Sequence, residues 1–589
     1  MRLVLIFFYF SKKHLKGPNQ KFIHMKLASR RVLTLFAIIV FMLITGSYFF
    51  IRILILHENM KHPAAQVCIS RVSLMPNAPS QFNLKDWKAL TKAYISFVFN
   101  FSSSSEYLPL VKLDKTDPRF ISFDLPSYVG QNKYEEGSGE AINCIAAVLS
   151  ATLVDINMSN YNGYDWVSMT KKWFSEEDGI FLNNKNGQSG SSFWYDIYPN
   201  VLIYSLLYYY PTFSTSWNQT LYRVADGWYN ASYVMYKDYR GPDFTAFNFR
   251  TMKPINNYMW TEPDAAAGMA WIEYIAYNKW KDSRFLEATK WNMQFLQDRT
   301  SNPFYEVLLP FGAYIAARMN AELGTNYDVQ KLLNWCFDGN SISRPGWGVI
   351  VGNWGGYEVN GLVGSITDGG GYAFTMNTFS MAIPLIPLVR YDTRFAKDVG
   401  KWMLNVANNA RLFYPDALSP ELQSSAFWKG DPNHVIAYEG LRKSWNGKSP
   451  YATGDALRNG WAATDFGLYG SSYVGVFGGI INPTSDERIL QLDCLKTDFY
   501  HNPAYPTYLY YNPYNISKSV AINVGPEPKD LYDAVSHKFL VKNTTNTAIF
   551  NLSPESAAVI VVVPAEGQVQ YVNEKMLING IVVDFNINQ

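Results

Sequence analysis

The sequence predicts a mainly helical chain in which paired helices form a ring, with a small antiparallel β domain after it and one transmembrane helix before it. Three observations lead to this prediction. Apolar residues recur at three- and four-residue spacing from about residue 139 to about residue 413. Short β-branched runs separated by Pro, Gly and Asn turns fill the last part of the chain. An uninterrupted apolar run stands near the N-terminus.

The apolar run covers residues 32–56 and contains a single charge, Arg52, near its far end. Because about 20 apolar residues span a bilayer as a helix, this run is long enough to cross one. Residues 1–31 are basic, which predicts a cytoplasmic N-terminus and a chain that lies outside the cytoplasm after the anchor. A cleaved signal peptide is the alternative, but no small-residue cleavage site follows the run. The prediction is a single-pass membrane protein with its catalytic region outside the cytoplasm.

The remaining chain divides into three parts. Residues 57–135 mix short apolar patches with Ser and Pro and are expected to link the anchor to the ring and wrap around it. Residues 136–516 form the ring, because helices of 12 to 18 residues recur in pairs joined by short links, and 414–516 within it are expected to be long loops. Residues 517–589 form the antiparallel β domain, which resembles a sandwich in its strand pattern.

Composition excludes several classes of function. The net charge is +2 and no basic stripe follows the N-terminus, so nucleic acid is not an expected partner. The four cysteines form no C-x-x-C pair, and Cys144 and Cys336 fall in apolar helical patterns that indicate buried free thiols. No metal-ligand motif or nucleotide-binding turn is present, so neither a metal nor a cofactor is predicted.

The stretch 344–378 holds ten glycines within an otherwise helical chain. A long glycine-rich loop suggests a close approach of backbone to a ligand. Its only carboxylates, Glu358 and Asp368, stand among the aromatic residues Trp354, Tyr357 and Tyr372. Flat rings stack on sugar faces and carboxylates move protons, so the loop is predicted to form one wall of a carbohydrate site. Asp before three glycines is also typical of a simple turn.

Other carboxylates lie where helices are predicted to begin. Glu140 opens a helix after a glycine turn, and Glu262 and Asp264 flank Pro263 at the next candidate helix start, beside Trp260. Both residues of that pair suit helix-start anions as well as substrate contacts. Glu306 lies on an apolar helical face, where a carboxylate is either paired or has a raised pKa.

The motifs WTEPDAAAG at 260–268, DGGGYAF at 368–374 and YPTYLYYNPY at 505–514 resemble an uncharacterised family of exported bacterial proteins with a C-terminal β domain. More broadly, the layout from about residue 135 onward resembles the (α/α) toroid carbohydrate-active enzymes, which include six-hairpin glycosidases and polysaccharide lyases. The resemblance implies an architecture and a carbohydrate substrate, and it assigns no catalytic residue.

Three functions follow from these observations. The first is a membrane-anchored glycoside hydrolase with Glu358, Asp368 and Glu306 as catalytic candidates, since hydrolysis needs two carboxyl groups. The second is a lyase that acts on an acidic polysaccharide, for which His434 and Tyr372 are the residues to test. The third is a glycan-binding surface protein without catalysis. The candidate substrate-binding residues are Trp354, Tyr357, Tyr372, Glu262, Asp264, Trp260, His434 and Glu140.

Overall fold

The computed structural model describes residues 63–588 except 119, 136, 258 and 259. The predicted anchor, 32–56, and the basic stretch before it lie outside these residues. Among the helices that are described, none is both long and apolar enough to cross a membrane.

The helices of the described chain follow the predicted periodicity closely over residues 141–413. They are α1 (Trp87–Val98), α2 (Ala141–Leu153), α3 (Trp166–Met169), α4 (Phe193–Tyr208), α5 (Pro211–Ser216), α6 (Asn218–Tyr239), α7 (Ala265–Trp280), α8 (Ser283–Asp298), α9 (Leu309–Leu323), α10 (Val329–Asp338), α11 (Thr375–Ser380), α12 (Ala382–Tyr391), α13 (Ala396–Asn409), α14 (Leu468–Ser471) and α15 (Val474–Ile480).

Six helices of the described residues close into an inner ring. Helix α2 packs on α4, α4 on α7, α7 on α9, α9 on α12, α12 on α15, and α15 again on α2. Inner helices such as α2, α4 and α7 are buried on nearly every face, whereas the outer helix α8 buries only one side. Helices α1, α6, α8, α10 and α13 lie outside the ring, each against an inner neighbour. Alternation of inner and outer helices makes the inner helices parallel, so their N-terminal ends open on one side.

Helix α15 lies within residues 414–516, which the sequence suggested were loops. Its sequence, VGVFGGI, contains three glycines and so lacks an amphipathic pattern. A Cβ at Gly475 would stand 2.4 Å from the backbone of Ser150 in α2, and one at Gly479 would stand 2.7 Å from the carbonyl oxygen of Leu153. The glycines therefore let α15 approach α2 closely enough to close the ring.

The segment before the ring contributes helix α1 and a two-stranded ribbon, β1 (Lys112–Asp114) and β2 (Ser122–Asp124). A buried lysine holds this ribbon to the ring. The Lys172 ammonium group forms ion pairs with Asp114, at 3.2 Å, and with Asp124, and both carboxylates are fully buried. Lys185 contacts Asp114 as well, at 2.7 Å. Because each buried charge has a partner, the wrapping segment is fixed rather than loosely attached.

The glycine-rich stretch folds as strands above the open side of the ring. The strands before the C-terminal region are β3 (Ala246–Asn248), β4 (Lys253–Ile255), β5 (Trp347–Val349), β6 (Asn353–Trp354), β7 (Tyr357–Glu358), β8 (Val363–Ser365), β9 (Tyr372–Phe374), β10 (Gly440–Arg442) and β11 (Tyr451–Thr453). Five of them form an antiparallel sheet in the order β11-β10-β9-β8-β5, and β6 and β7 form a separate hairpin. The sheet therefore joins the predicted site loop to a later segment of the chain, since Tyr372 pairs with Arg442 and Phe374 with Gly440.

The C-terminal part consists of antiparallel sheets, and the larger one begins before residue 517. Its strands are β12 (Ile481–Asn482), β13 (Gln491–Asp493), β14 (Thr507–Tyr511), β15 (Lys518–Asp533), β16 (Lys538–Leu552) and β17 (Ala557–Pro564), in the order β12-β13-β14-β17-β15-β16. A smaller sheet contains β18 (Val569–Val572), β19 (Lys575–Ile578) and β20 (Ile581–Asp584). Strands β14 and β17 pack on α13, so this region braces the outer wall of the ring.

Candidate functional site

Polar side chains from distant parts of the sequence meet where the inner helices begin. The Tyr195 hydroxyl, on α4, lies 3.5 Å from the Tyr469 hydroxyl, on α14. Ser192, before α4, donates to Glu262, before α7, at 2.6 Å. The backbone N–H of Tyr305, ahead of α9, donates to Asp264 at 3.1 Å. These contacts place the helix starts around one opening.

We call this opening the mouth of the ring. It is formed by the residues at the N-terminal ends of the inner helices, namely Glu140, Tyr195, Glu262, Glu306, Phe374 and Tyr469.

Glu306 is presented at the mouth by an ion pair. Its carboxylate contacts the guanidinium group of Arg344, and the amide of Asn377 donates to it at 3.2 Å. The Arg344 guanidinium lies 3.8 Å from the centre of the Trp347 ring, and this ring in turn donates to the backbone carbonyl of Glu306 at 3.0 Å. The two charged side chains stay 12% and 25% exposed. The result is an oriented carboxylate that a ligand can reach.

Asp368 forms a second ion pair at the edge of the same opening. Arg442, on β10, lies 3.4 Å from Asp368 and 3.2 Å from Asp455, and its guanidinium group stacks 3.5 Å above the Tyr372 ring. The Asp368 side chain is 55% exposed. Burial lowers the pKa of Arg344, and the negative charge of Asp368 is among the influences that oppose this shift. Asp368 therefore acts on the same charged group as Glu306.

Buried carboxyls line the wall behind these ion pairs. Burial raises the pKa of Glu262 to about 8, even though Ser192 and the backbone of Trp194 donate hydrogen bonds to it. Burial likewise raises the pKa of Asp264 to about 7. Both groups hold their protons at neutral pH more readily than ordinary carboxyls, so the mouth contains neutral acids as well as anions. Asp264 is the N-cap residue of α7 but its side chain makes no capping hydrogen bond there, and Glu262 accepts from the first turn of α4, so neither acts as the helix-start anion of α7 that the sequence allowed.

A group of tyrosines connects the buried carboxyls. Tyr128 donates to Glu439 at 2.9 Å and stacks on the ring of Tyr469, with centroids 6.4 Å apart and planes 7° apart. Burial raises the pKa of Glu439 to about 7. Glu140 accepts hydrogen bonds from Ser127 and, at 2.7 Å, from Asn183. Sequence reasoning selected Glu140 but missed these tyrosines, because isolated tyrosines in a tyrosine-rich chain carry no distinguishing signal.

The aromatic residues predicted to bind sugar lie in different settings. Trp260 is 50% exposed at the mouth and meets Tyr305 edge to face, with centroids 6.0 Å apart. Trp354 is only 4% exposed, and a Cβ at Gly371 would stand 2.4 Å from its ring. Tyr372 is 1% exposed, beneath Arg442. Trp260 is thus the ring of these three with an accessible face.

Glu358 and Tyr357 occupy the β6–β7 hairpin rather than the ion pairs described above. The Glu358 carboxylate accepts two hydrogen bonds from Ser80, from the backbone N–H at 2.9 Å and from the hydroxyl at 2.8 Å. This contact anchors the wrapping segment to the hairpin. The catalytic role of Glu358 stays a prediction from the sequence.

His434 lies in a different cleft. The residue has a left-handed backbone, with φ of 53°, and lines an open cleft together with Trp428 and Lys429. Tyr372, its predicted partner in a lyase, lies beneath Arg442 instead. Within the described residues, no group of three or more His, Cys, Asp or Glu side chains is arranged to hold a metal ion.

The fold and the site together define a helical-ring protein whose mouth combines ion-paired carboxylates, neutral acids and aromatic rings. A scan of protein-family models and a search of curated proteins give no match to the chain.

Three sugar-acting enzymes are among the solved structures to which this chain is distantly similar. A D-mannose isomerase is 11% identical, with 66% of this chain and 98% of that chain covered and a TM-score of 0.36. A sugar epimerase from a ruminal bacterium is 9% identical, with 70% of this chain and 98% of that chain covered and a TM-score of 0.35. A GH127 β-L-arabinofuranosidase from Geobacillus stearothermophilus T6 is 9% identical over 75% of both chains, with a TM-score of 0.28. At these scores the similarity identifies no reaction.

Proposed function

We propose that this protein is a carbohydrate-active enzyme that hydrolyses glycosidic bonds at the mouth of its helical ring. The observation that carries the proposal is the Glu306–Arg344 ion pair, held between aromatic rings and still open to a ligand. Sugars bind where flat rings and charged hydrogen-bonding groups converge, and Trp260 supplies an exposed ring at the same opening.

Hydrolysis of a glycosidic bond requires one carboxylate that acts as a nucleophile or base and one carboxyl that donates a proton. Glu306 fits the first role, because Arg344 and Asn377 orient it and its ion pair stabilises the anion. Asp368 is proposed for the second role because a substrate can reach it, and it would act as the acid after it takes up a proton from solvent while Arg442 pairs with Asp455. Arg442 divides its guanidinium group between Asp368 and Asp455, so Asp368 is the less firmly held of the two proposed catalytic carboxylates.

The buried acids support this chemistry electrostatically. Because burial raises the pKa of Glu262 to about 8 and that of Asp264 to about 7, the wall behind Glu306 carries less negative charge near neutral pH than two ordinary carboxylates would, and Arg344 stays paired with Glu306. If both groups were ionised, a sugar cation forming at the mouth would be stabilised, but the resting site would carry excess charge in a poorly solvated wall.

Glu306→Gln provides the direct test, because glutamine preserves the shape of the side chain and removes its charge. The full chain is incubated with a broad panel of oligosaccharides and the products are weighed by mass spectrometry. We expect products that together contain one added water, and a loss of at least about 100-fold in rate for Glu306→Gln and for Asp368→Asn. Glu487→Gln is the matched control, because that side chain is 74% exposed and lies outside the mouth. Loss of activity in Glu358→Gln alone would instead move the centre to the hairpin.

A lyase that acts on an acidic polysaccharide is the second candidate. The arrangement that favours it is Arg442 stacked on Tyr372, whose hydroxyl is buried without a hydrogen-bond partner among the described residues. An arginine next to a tyrosine could neutralise a uronate carboxylate while the phenol moves a proton. Burial raises the pKa of Tyr372 well above its ordinary value, which opposes formation of the phenolate. Products that lack the added water, lost in Tyr372→Phe, would establish this reaction. Binding without any product would leave a non-catalytic glycan-binding protein.

The location of the chain is part of the proposal. We infer that residues 32–56 anchor the protein and that the ring lies outside the cytoplasm, which rests on the charge and apolar patterns of the sequence. Among the asparagines of the seven N-x-S/T sites, six are exposed and Asn230 is half-buried. Expression in a host that glycosylates exported chains should add N-linked glycans, detected as a mass shift that a peptide N-glycosidase reverses. A membrane-bound chain that carries no N-linked glycan at any of these sites would contradict export.

A further inference from the structure

A second cleft, separate from the mouth, lies against the outer side of the residues that lead to β10. Its volume is about 370 Å³, within the range of clefts that hold small ligands. Its apolar surface includes Trp428 and Phe466, whose ring centroids are 5.5 Å apart. Lys429, Asp431 and His434 add charged and polar groups from one short turn.

Asp431 provides evidence that this cleft is built to receive a ligand. The residue is 7% exposed, and its Oδ2 atom accepts a hydrogen bond from the backbone N–H of Ile436 at 2.8 Å. Its Oδ1 atom is buried and makes no hydrogen bond of good geometry within the described residues, although the backbone N–H groups of Asn433 and Val435 lie close enough to act on the carboxylate. A buried acceptor without a partner is costly, so the site is expected to supply a donor when it is occupied.

The turn that carries these groups is held in an unfavourable conformation. His434 has φ of 53°, a left-handed region that non-glycine residues rarely adopt. A Cβ at Gly430 would stand 2.4 Å from the Trp428 ring, so the chain passes directly over this ring. Backbone strain of this kind is retained where it positions side chains, and here it places His434 beside Asp431.

Only one layer of chain separates this cleft from the mouth. Tyr438 and Phe466 form an antiparallel bridge with their rings 4.4 Å apart, and the backbone N–H of Glu439 donates to Asp465 at 3.0 Å. Paired residues of two extended segments point to the same side, and chain neighbours point to opposite sides. Phe466 and its pair Tyr438 therefore lie on the side of the cleft, while Glu439, the neighbour of Tyr438, points to Tyr128 and the tyrosines of the mouth.

We propose that this cleft binds a sugar unit, with Asp431 Oδ1 accepting a hydroxyl hydrogen, His434 and Lys429 donating to ring or hydroxyl oxygens, and the aromatic floor contacting the apolar face of the sugar. The proposal rests on the proposed function, since it extends the glycan-binding surface beyond the mouth. The sugar unit comes either from a distant part of the glycan being cleaved or from a free saccharide.

The test measures binding without turnover. The full chain with Glu306→Gln and Trp260→Ala, the second change removing the exposed ring at the mouth, is titrated with neutral trisaccharides and tetrasaccharides, and contacts are detected by saturation-transfer NMR. Asp431→Asn keeps one oxygen for Ile436 and places an NH₂ group where the free acceptor stood. We expect this change to weaken binding at least tenfold, and His434→Asn, which tolerates the left-handed backbone, to weaken it severalfold. Glu421→Gln, exposed and outside the cleft, should leave binding unchanged.

Binding that persists in both Asp431→Asn and His434→Asn would overturn the proposal, whatever the activity of the mouth. Binding lost in these variants would uphold it even if no hydrolysis were found, so the two proposals can fail separately. Thermal melting followed by circular dichroism identifies a variant that has lost its fold. If Asp431→Asn melts at a clearly lower temperature, the binding result for His434→Asn decides the proposal. In the chain that retains Glu306, Asp431→Asn is compared with the unchanged sequence in turnover. A lower kcat/KM for tetrasaccharides but not for disaccharides shows that the bound sugar unit is a distant part of the substrate. A rate change caused by added monosaccharide identifies a free saccharide.

Discussion

Closure of the ring at α15 predicts that Gly475→Ala will destabilise the protein. The added Cβ would lie 2.4 Å from the Cα, Cβ and carbonyl oxygen of Ser150, about 1 Å inside an optimal carbon–carbon contact. Backbone atoms cannot rotate away, so α15 and α2 must separate. Overpacking of this kind costs about 1–3 kcal/mol, and the higher helix propensity of alanine returns about 1 kcal/mol. We expect a net loss of about 1 kcal/mol, and of about 2 kcal/mol at most.

A second helical glycine provides the matched control for this test. A Cβ at Gly227, in α6, would meet only the side chains of Phe249 and Ile180, at 3.6 and 3.7 Å, which are ordinary contacts. Gly227→Ala should therefore be neutral or stabilising by up to about 1 kcal/mol. Guanidinium unfolding of both variants, followed by circular dichroism, measures the two changes. If Gly475→Ala is as stable as Gly227→Ala, α15 does not pack on α2 as described, and the ring is not closed there.

Two further predictions concern buried charges. The proton on Glu262 is retained by the folded chain between its ordinary pKa of 4.5 and about 8, whereas the unfolded chain loses it. The free energy of unfolding should therefore fall as pH rises through this window, by up to about 1.4 kcal/mol per pH unit from this group. Glu262→Gln should flatten the dependence, as measured by denaturant titrations at several pH values. Equal slopes for the two chains would contradict the raised pKa. Lys172→Met should destabilise the protein by about 3–5 kcal/mol, because the buried Asp124 loses its ionic partner and Asp114 keeps only Lys185. Lys185→Met, whose side chain is 15% exposed, should cost clearly less, and similar losses would show that the buried network does not hold the ribbon.

The helices that could be predicted from sequence are those whose burial leaves a periodic pattern. The three- and four-residue apolar spacing predicts a helix over 265–280, which has the bounds of α7, and another over 141–154, which differs from α2 by one residue at its end. Helices α1 and α15 were missed for different reasons. Helix α1 follows a Pro- and Ser-rich stretch that suggested a linker. Helix α15 is glycine-rich because it packs so closely, and this composition removes the helical signal.

The site was predictable only in part because its members come from separate segments. Glu306 and Asp368 were selected as isolated carboxylates, and the structure brings both to arginines at one opening. Glu358 had equal standing in the sequence, yet its carboxylate binds Ser80. The partners Arg344 and Arg442 were not selected, because pairing across 38 and 74 residues leaves no trace in local spacing.

The most direct test of the proposed function is the mass of the products that the full chain makes from a panel of oligosaccharides, compared with those of Glu306→Gln. Hydrolysis predicts products that together gain one water, at a rate that falls at least about 100-fold in Glu306→Gln and is unchanged in Glu487→Gln. Full activity of the Glu306→Gln variant, or products without the added water, would contradict hydrolysis at this mouth.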